Sequence, residues 1–454
     1  MKKIKSIVAA VFILIMAAFC YFSNPWQTRM KADARTPPER GLNNLLNRVY
    51  GRSLLDEETL DRLWTVWDAE WKSKITDPND KAQIRRITLE RYGFTESVDP
   101  TSAVPLQFVK SEKGLVYSCM SCHGGRLPGS GAPMIGLPNT EIDMATFSED
   151  LAKLAGKERK ADFLQMTRGR TNAFTLSHSL LKYANEDMSM RSAEINLGRP
   201  ENYDLDAPPW WNLKKKKFLY SDGFVEGGFS RAIMQFAMLS ADGATFRSWE
   251  TDFSDILAYL LSIQPPKYPW AIDERLAREG KKVFEQTCAQ CHGTYGPGGQ
   301  YPNRIVPIET IGTDSLRLTG LTKEFRGYYG KTWLAQNSKI TENPIGYIAP
   351  PLDGIWASAP YFHNGSVPTV YGVLTEKARP TYFERSDSPA GYDQRNLGLK
   401  IKALKSPASP NLTSQARRRV VNTALPGLGN QGHPFGYRLS EKEKRQVIEY
   451  LKTL

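Results

Sequence analysis

Four of the five cysteines in this chain fall into two CxxC pairs, Cys119/Cys122 and Cys288/Cys291, and a histidine follows each pair at once, as His123 and His292. This spacing sets both thiols and the imidazole around one helical turn. Two sulfurs can then add across the two vinyl groups of a porphyrin while the imidazole stands beneath its iron. CMSCH (119–123) and CAQCH (288–292) therefore predict two covalently bound haem c groups, held by Cys119, Cys122, Cys288 and Cys291, with His123 and His292 as iron ligands. CxxC pairs also serve in redox-active disulfides and zinc sites. A redox disulfide belongs at a strand-to-helix junction of an α/β pattern, and no such pattern is visible; a four-cysteine zinc site would have to join motifs far apart in the chain.

The supply of further iron ligands differs between the two motifs. No methionine follows Met238, so the second haem has no downstream Met, and only His363 (in YFHNGS) and His433 (in GNQGHPFG) lie beyond it. His433 is preferred as the sixth ligand, because a glycine-rich loop just before a terminal helix can turn an imidazole back onto a porphyrin face; His363 is the second choice. For the first haem, His178 sits in an apolar helical stretch, where a lone histidine is more often a satisfied core residue. Met234 and Met238 read equally well as ligands or as core at i, i+4 spacing. An open sixth position is the remaining alternative, and it would make that haem a reaction site.

The N-terminus reads as a targeting segment. Lys2, Lys3 and Lys5 precede an apolar run from Ile7 to Phe22 that is short for a membrane span. Residues 1–34 are expected to be a signal peptide or a retained N-terminal anchor formed by residues 7–22, which places the protein in the periplasm or outside the cell. The formal charge of +12 does not call for nucleic acid, since an exported chain rarely meets it and haem propionates offset part of the excess. The run Lys214 to Lys217 is read as a solvated turn.

A length of 454 residues with 41% hydrophobic and 24% charged residues suits two or three domains. Leu42, Leu45, Leu46 and Val49, then Leu60, Leu63, Trp64, Trp67 and Trp71, recur at helical spacing and predict a helical extension over 38–92. Phe253, Ile256, Leu257 and Leu260 form another stripe, stopped by Pro265 and Pro266, which marks the boundary between a first haem domain (93–266) and a second (267–454). Asp273 is the expected N-cap of a helix carrying Leu276, Gly280, Val283 and Phe284 up to Cys288. Ser440 with Glu443 predicts a capping box opening a last helix with Val447, Ile448, Leu451 and Leu454. Strand signals are weak. The expected fold is mainly α: two cytochrome c-like haem domains with long loops, and an N-terminal helical extension.

Three segments, APPWWNLKKKKFLYSDGF (207–224), APPLDGIWASAPYFHNGSVPTVYGVL (349–374) and GNQGHPFGYRLSEKEKRQVIEYLKTL (429–454), give residues 100–454 a family look. The chain resembles the diheme c-type cytochromes of the bacterial cytochrome c peroxidase superfamily, in the branch that looks like rubber oxygenases. The resemblance implies a reactive N-terminal haem with His123 proximal and its other face open to dioxygen or peroxide. It also implies a second haem bound by His292 and His433 as an electron store. His363 would shape the haem environment, Trp210 or Trp211 would lie beside the haems, and Phe224 would belong to an aromatic lining; Trp211 and His363 are the expected catalytic residues. Ordinary core packing is the other reading of the tryptophan pair. The chain is considerably shorter than those oxygenases, and their polymer substrate is not carried over.

Two functions compete at this point. One is an exported haem-dependent oxidoreductase that takes a small-molecule oxidant and an exported electron donor or acceptor protein. The other is a non-enzymatic electron carrier with both irons six-coordinate; a structural metal-binding module is a weaker third.

Overall fold

Two glycines let helices approach to backbone contact. A Cβ on Gly280 would collide with the backbone of Gln446, so the helix Glu274–Thr287 crosses the last helix, Glu441–Leu451, with no side chain between them. Gly41 does the same for the helix Pro37–Asn47 against Glu250–Ser262, where a Cβ would strike the carbonyl of Asp255. That second crossing is flanked by ion pairs from Arg40 to Asp255 (2.7 Å) and from Arg48 to Asp252 (2.8 Å). The helix ends follow the caps written in the sequence. The Asp273 side chain accepts from Leu276 N–H, and Ser440 and Glu443 form the reciprocal capping box.

The computed structural model describes residues 34–157, 167–201, 204–238, 242–385 and 391–454. The expected targeting segment therefore lies almost wholly outside the described residues. Among them, no helix is long and apolar enough to cross a membrane. Residues 37–454 form one compact unit.

The expectation of a mainly α chain made of two haem domains is corrected by the structure, which is 40% helical and 12% strand with several small sheets, a mixed fold. Its strands are two to four residues long and all antiparallel: 108–111 with 114–117, 124–126 with 133–135, 305–307 with 346–348, 382–385 between 401–404 and 420–422, and shorter pairs besides. Strands this short show too few alternations to leave a period-2 pattern, and they lie in the Gly- and Pro-rich intervals that read as loops. The extension over 38–92 is helical but broken, with short helices at Glu57–Arg62, Leu63–Val66 and Ala69–Lys72 before a longer one at Lys81–Tyr92.

The described residues form two apolar cores. The smaller gathers Leu60, Trp67, Trp71, Tyr92, Phe94, Phe108 and Phe147, joining the broken helical segment to the first hairpin. The larger runs from Leu45 through Trp211, Phe224 and Phe253 to Phe284, Trp356 and Val447, drawing on both sides of Pro265 and Pro266.

Candidate functional site

Each CxxCH segment is one helical turn pinned by its neighbours. In the first, Met120–His123, the Gln107 amide donates to the carbonyls of Met120 (3.2 Å) and Gly124 (3.1 Å), while its oxygen accepts the Thr95 N–H at 2.7 Å. Asn139 adds a backbone bond to the Cys122 carbonyl at 2.8 Å, and its side chain reaches Gly93 and Ser121. In the second, Ala289–His292, the Tyr295 hydroxyl donates to the His292 carbonyl at 2.9 Å and accepts from Leu352 N–H at 2.7 Å. Neither Gln107 nor Asn139 carries a sequence signal of this role; both act across a loop.

The four cysteines are free thiols. Cys119 is exposed by area, and His123 and His292 keep part of their surface open. Burial is nonetheless the leading cause that pushes the Cys119 thiol up to about 11, Cys288 up to about 12 and His123 down to about 4, and it also lowers His292. Thiols held protonated this way are poor nucleophiles and poor zinc ligands. Among the described residues no group of three or more His, Cys, Asp or Glu side chains could hold a bare metal ion.

The His292 imidazole is held by one nitrogen, which leaves the other free. His292 Nδ1 lies 2.8 Å from the Pro350 carbonyl, which can only accept, so Nδ1 carries the proton and Nε2 keeps its lone pair. The ring of His433 stands 6.2 Å from that of His292, centre to centre. An imidazole nitrogen binds a transition metal at about 2 Å, which sets two rings on opposite sides of one ion about 6 Å apart. His433 Nδ1 is buried with no hydrogen-bond partner, and burial, with His292 and Arg379 nearby, pushes its pKa down to about 3 and keeps the ring neutral. These residues fit a haem group held by Cys288, Cys291, His292 and His433.

His363 is placed elsewhere. Its ring stacks on Tyr347 at 4.3 Å, its carbonyl accepts the Asp206 N–H at 2.9 Å, and the neighbouring Phe362 is the one that faces His433.

Around His123 the arrangement differs. Trp210 stacks on its ring at 4.6 Å, nearly parallel, and its Nδ1 is buried without a partner. His178 does not face it. That ring bonds the Leu197 carbonyl at 3.1 Å and stacks on Phe325. Met234 and Met238 are buried in the larger core, and Phe224 packs among Phe174, Tyr220, Phe325 and Tyr329.

The segment after Trp210 runs toward the second motif. Trp211 Nε1 donates to the Asp353 carbonyl at 2.7 Å, and Asn212 donates to Pro351 at 2.9 Å, next to the Pro350 that orients His292. One short stretch thus touches the surroundings of both motif histidines. The solvated-turn reading of Lys214 to Lys217 is corrected for its middle. Lys215 pairs with Asp353 at 2.6 Å, and Lys216 turns inward, where burial lowers its ammonium to about 8 and its charge reaches His123. The tight turn Trp210–Lys215 leaves Lys214 and Lys217 exposed and Lys215 and Lys216 half-buried, which charge counting cannot show.

Residues 346–384 match the family model described as RoxA-like, cytochrome c-like. The chain is 27% identical over 291 residues to the uncharacterized protein y4iM of Sinorhizobium fredii, covering 55% of this chain and 64% of that protein. It is 30% identical over 260 residues to the uncharacterized protein y4iJ of the same organism, covering 42% of this chain and 41% of that protein. The match therefore spans less than two thirds of either relative. The family match supports a cytochrome c of the RoxA-like branch, and it implies iron held in covalently bound haem c.

Proposed function

We propose that this chain is an exported diheme cytochrome c, akin to the peroxidase superfamily, and that it works as a haem-dependent oxidoreductase with its chemistry at the first haem. One observation carries the reading. His292 has a neutral imidazole facing it at 6.2 Å, whereas the other candidates for His123 are committed elsewhere: His178 to Leu197, and Met234 and Met238 to the core.

On this reading Cys119 and Cys122 hold the first haem with His123 as its ligand, and Cys288, Cys291, His292 and His433 hold the second. Haem c supplies, when bound, an iron centre that exchanges electrons and, where one face is left open, accepts dioxygen or peroxide. The chain's own part is positioning. Pro350 fixes the tautomer of His292, the Trp210 ring restrains His123, and Trp211 and Asn212 tie the loop 350–353 to the Trp210 segment. Burial keeps His123 and His433 neutral, so their nitrogens remain available to iron. Lys216 brings a positive charge to the surroundings of His123, which favours an anionic group there.

The test is electron paramagnetic resonance of the resting ferric protein, with and without cyanide. One high-spin haem that binds cyanide readily beside one low-spin haem that binds it far more weakly is expected. Two low-spin haems, both inert to cyanide and peroxide, would leave an electron-transfer cytochrome.

A further inference from the structure

The loop that presents His433 has no helix or strand of its own between Val420–Asn422 and the turn at Pro434–Gly436. Its backbone groups are bound by side chains from elsewhere, as buried polar backbone requires. Asn364 donates to the carbonyls of Gly427 and Gly429, both at 3.0 Å, and Ser366 donates to Gly429 at 3.0 Å. The Asn364 Oδ1 accepts the Ser366 backbone N–H at 3.2 Å, which fixes the Asn364 amide; both residues are fully buried. From the opposite side, Asp314 accepts the N–H groups of Gly427 (3.0 Å) and Gly429 (3.1 Å).

Nearer to His433, Arg379 donates to the carbonyls of Asn430 (2.5 Å) and Gly432 (3.0 Å), with its other nitrogens on Gly372 and Val373. Tyr437 adds a second bond to Gly432. A Cβ on Gly432 would strike the backbone of Gly312, and His433 N–H bonds the Ile311 carbonyl at 2.6 Å. His433 itself adopts φ 60°, ψ 58°, a left-handed conformation that a free histidine seldom keeps. The loop is thus locked at both ends of the glycine run.

We propose that Asn364, Ser366 and Arg379 are positioning residues that hold His433 opposite His292, so that the HNGS segment acts on the second haem through Asn364 and Ser366. This inference rests on the reading of His433 as an axial ligand. A His433 held by this frame would compete well with an outside ligand for a haem iron bound there, and one freed from the frame would compete less well.

The test measures cyanide binding to the ferric second haem, followed by loss of its own low-spin resonance, in the diheme protein. Ser366→Ala removes a single oxygen, and Arg379→Met removes the guanidinium, with its contact over the Phe362 ring, while keeping an unbranched apolar stem. Each is expected to tighten cyanide binding at the second haem about 10- to 100-fold, the range over which outer partners of a metal ligand act. Haem content and far-ultraviolet circular dichroism are expected to stay at wild-type levels. His433→Ala is the reference for a lost ligand. Wild-type cyanide affinity in both frame variants, with a raised affinity in His433→Ala, would overturn the proposal alone. An unchanged affinity in His433→Ala would overturn the ligand reading as well.

Discussion

The ring of His433 stands 6.2 Å from the ring of His292 and is inclined to it by 47°. Their positions in the chain are far apart, and neither ring fills the space between them. His292 has its Nδ1 proton on Pro350, and His433 has an Nδ1 with no partner. Two neutral imidazoles at this spacing fit the two sides of one metal ion.

From that pair comes the first expectation. His433→Ala should turn one low-spin haem into a high-spin one and leave the other unchanged, as read by absorption and electron paramagnetic resonance. His363→Ala should not do this, because its ring is stacked on Tyr347 and Phe362 stands toward His433. The reverse outcome would exchange the two assignments.

The count of haems is a separate matter. A pyridine haemochrome assay should give two per chain, and haem should resist acid acetone, since each motif offers two free thiols beside one imidazole. Changing Cys288 and Cys291 together to Ala should halve the covalent haem and lower the melting temperature. One haem in the unaltered protein would refute the second attachment.

The crossing at Gly280 leads to a stability prediction independent of haem. In Gly280→Ala the new methyl would meet the backbone of Gln446 and Val447, and backbone cannot step aside as a side chain can. The helices must part, at a cost of about 1 to 3 kcal/mol, typical of an overpacked interface. Denaturant titration should show a lower midpoint with little change in slope.

Asp206 supplies a pH dependence. Burial raises its carboxyl from 3.8 to about 7, against the pull of Arg170 and Arg385, and Arg170 Nη1 comes no nearer than 3.6 Å to Oδ1, which lacks a hydrogen bond. A raised carboxyl binds its proton more tightly in the folded protein. Its contribution is therefore present at acid pH and is lost as pH rises from about 4 to about 7. Asp206→Asn, a neutral mimic, should flatten that part of the stability profile and raise stability at pH 8 by on the order of 1 to 3 kcal/mol. An unchanged slope between pH 4 and 7 would show that Asp206 is ionised throughout.

The two CxxCH turns were legible in the sequence because they are local. Two thiols and an imidazole within five residues meet around one turn wherever that turn lies, and the caps at Asp273 and Ser440 act over three residues. Helices at 250–262, 274–287 and 441–451 were likewise readable from a repeat each carries within itself. The strands were not, being too short to repeat and paired with partners such as 305–307 and 346–348 across a long interval.

Facing is what the sequence could not decide. His363 and His433 both sit in glycine-containing loops, and local pattern favours His433 only by its place before the last helix. Tertiary structure separates them, through bonds from Asn364, Ser366, Asp314 and Arg379 to a loop more than fifty residues away from each of them. The inward turn of Lys216 and the stacking of Trp210 on His123 have the same origin. Each depends on which segments pack together, and burial, charge and direction at a side chain are properties of that packing rather than of the residue that carries it.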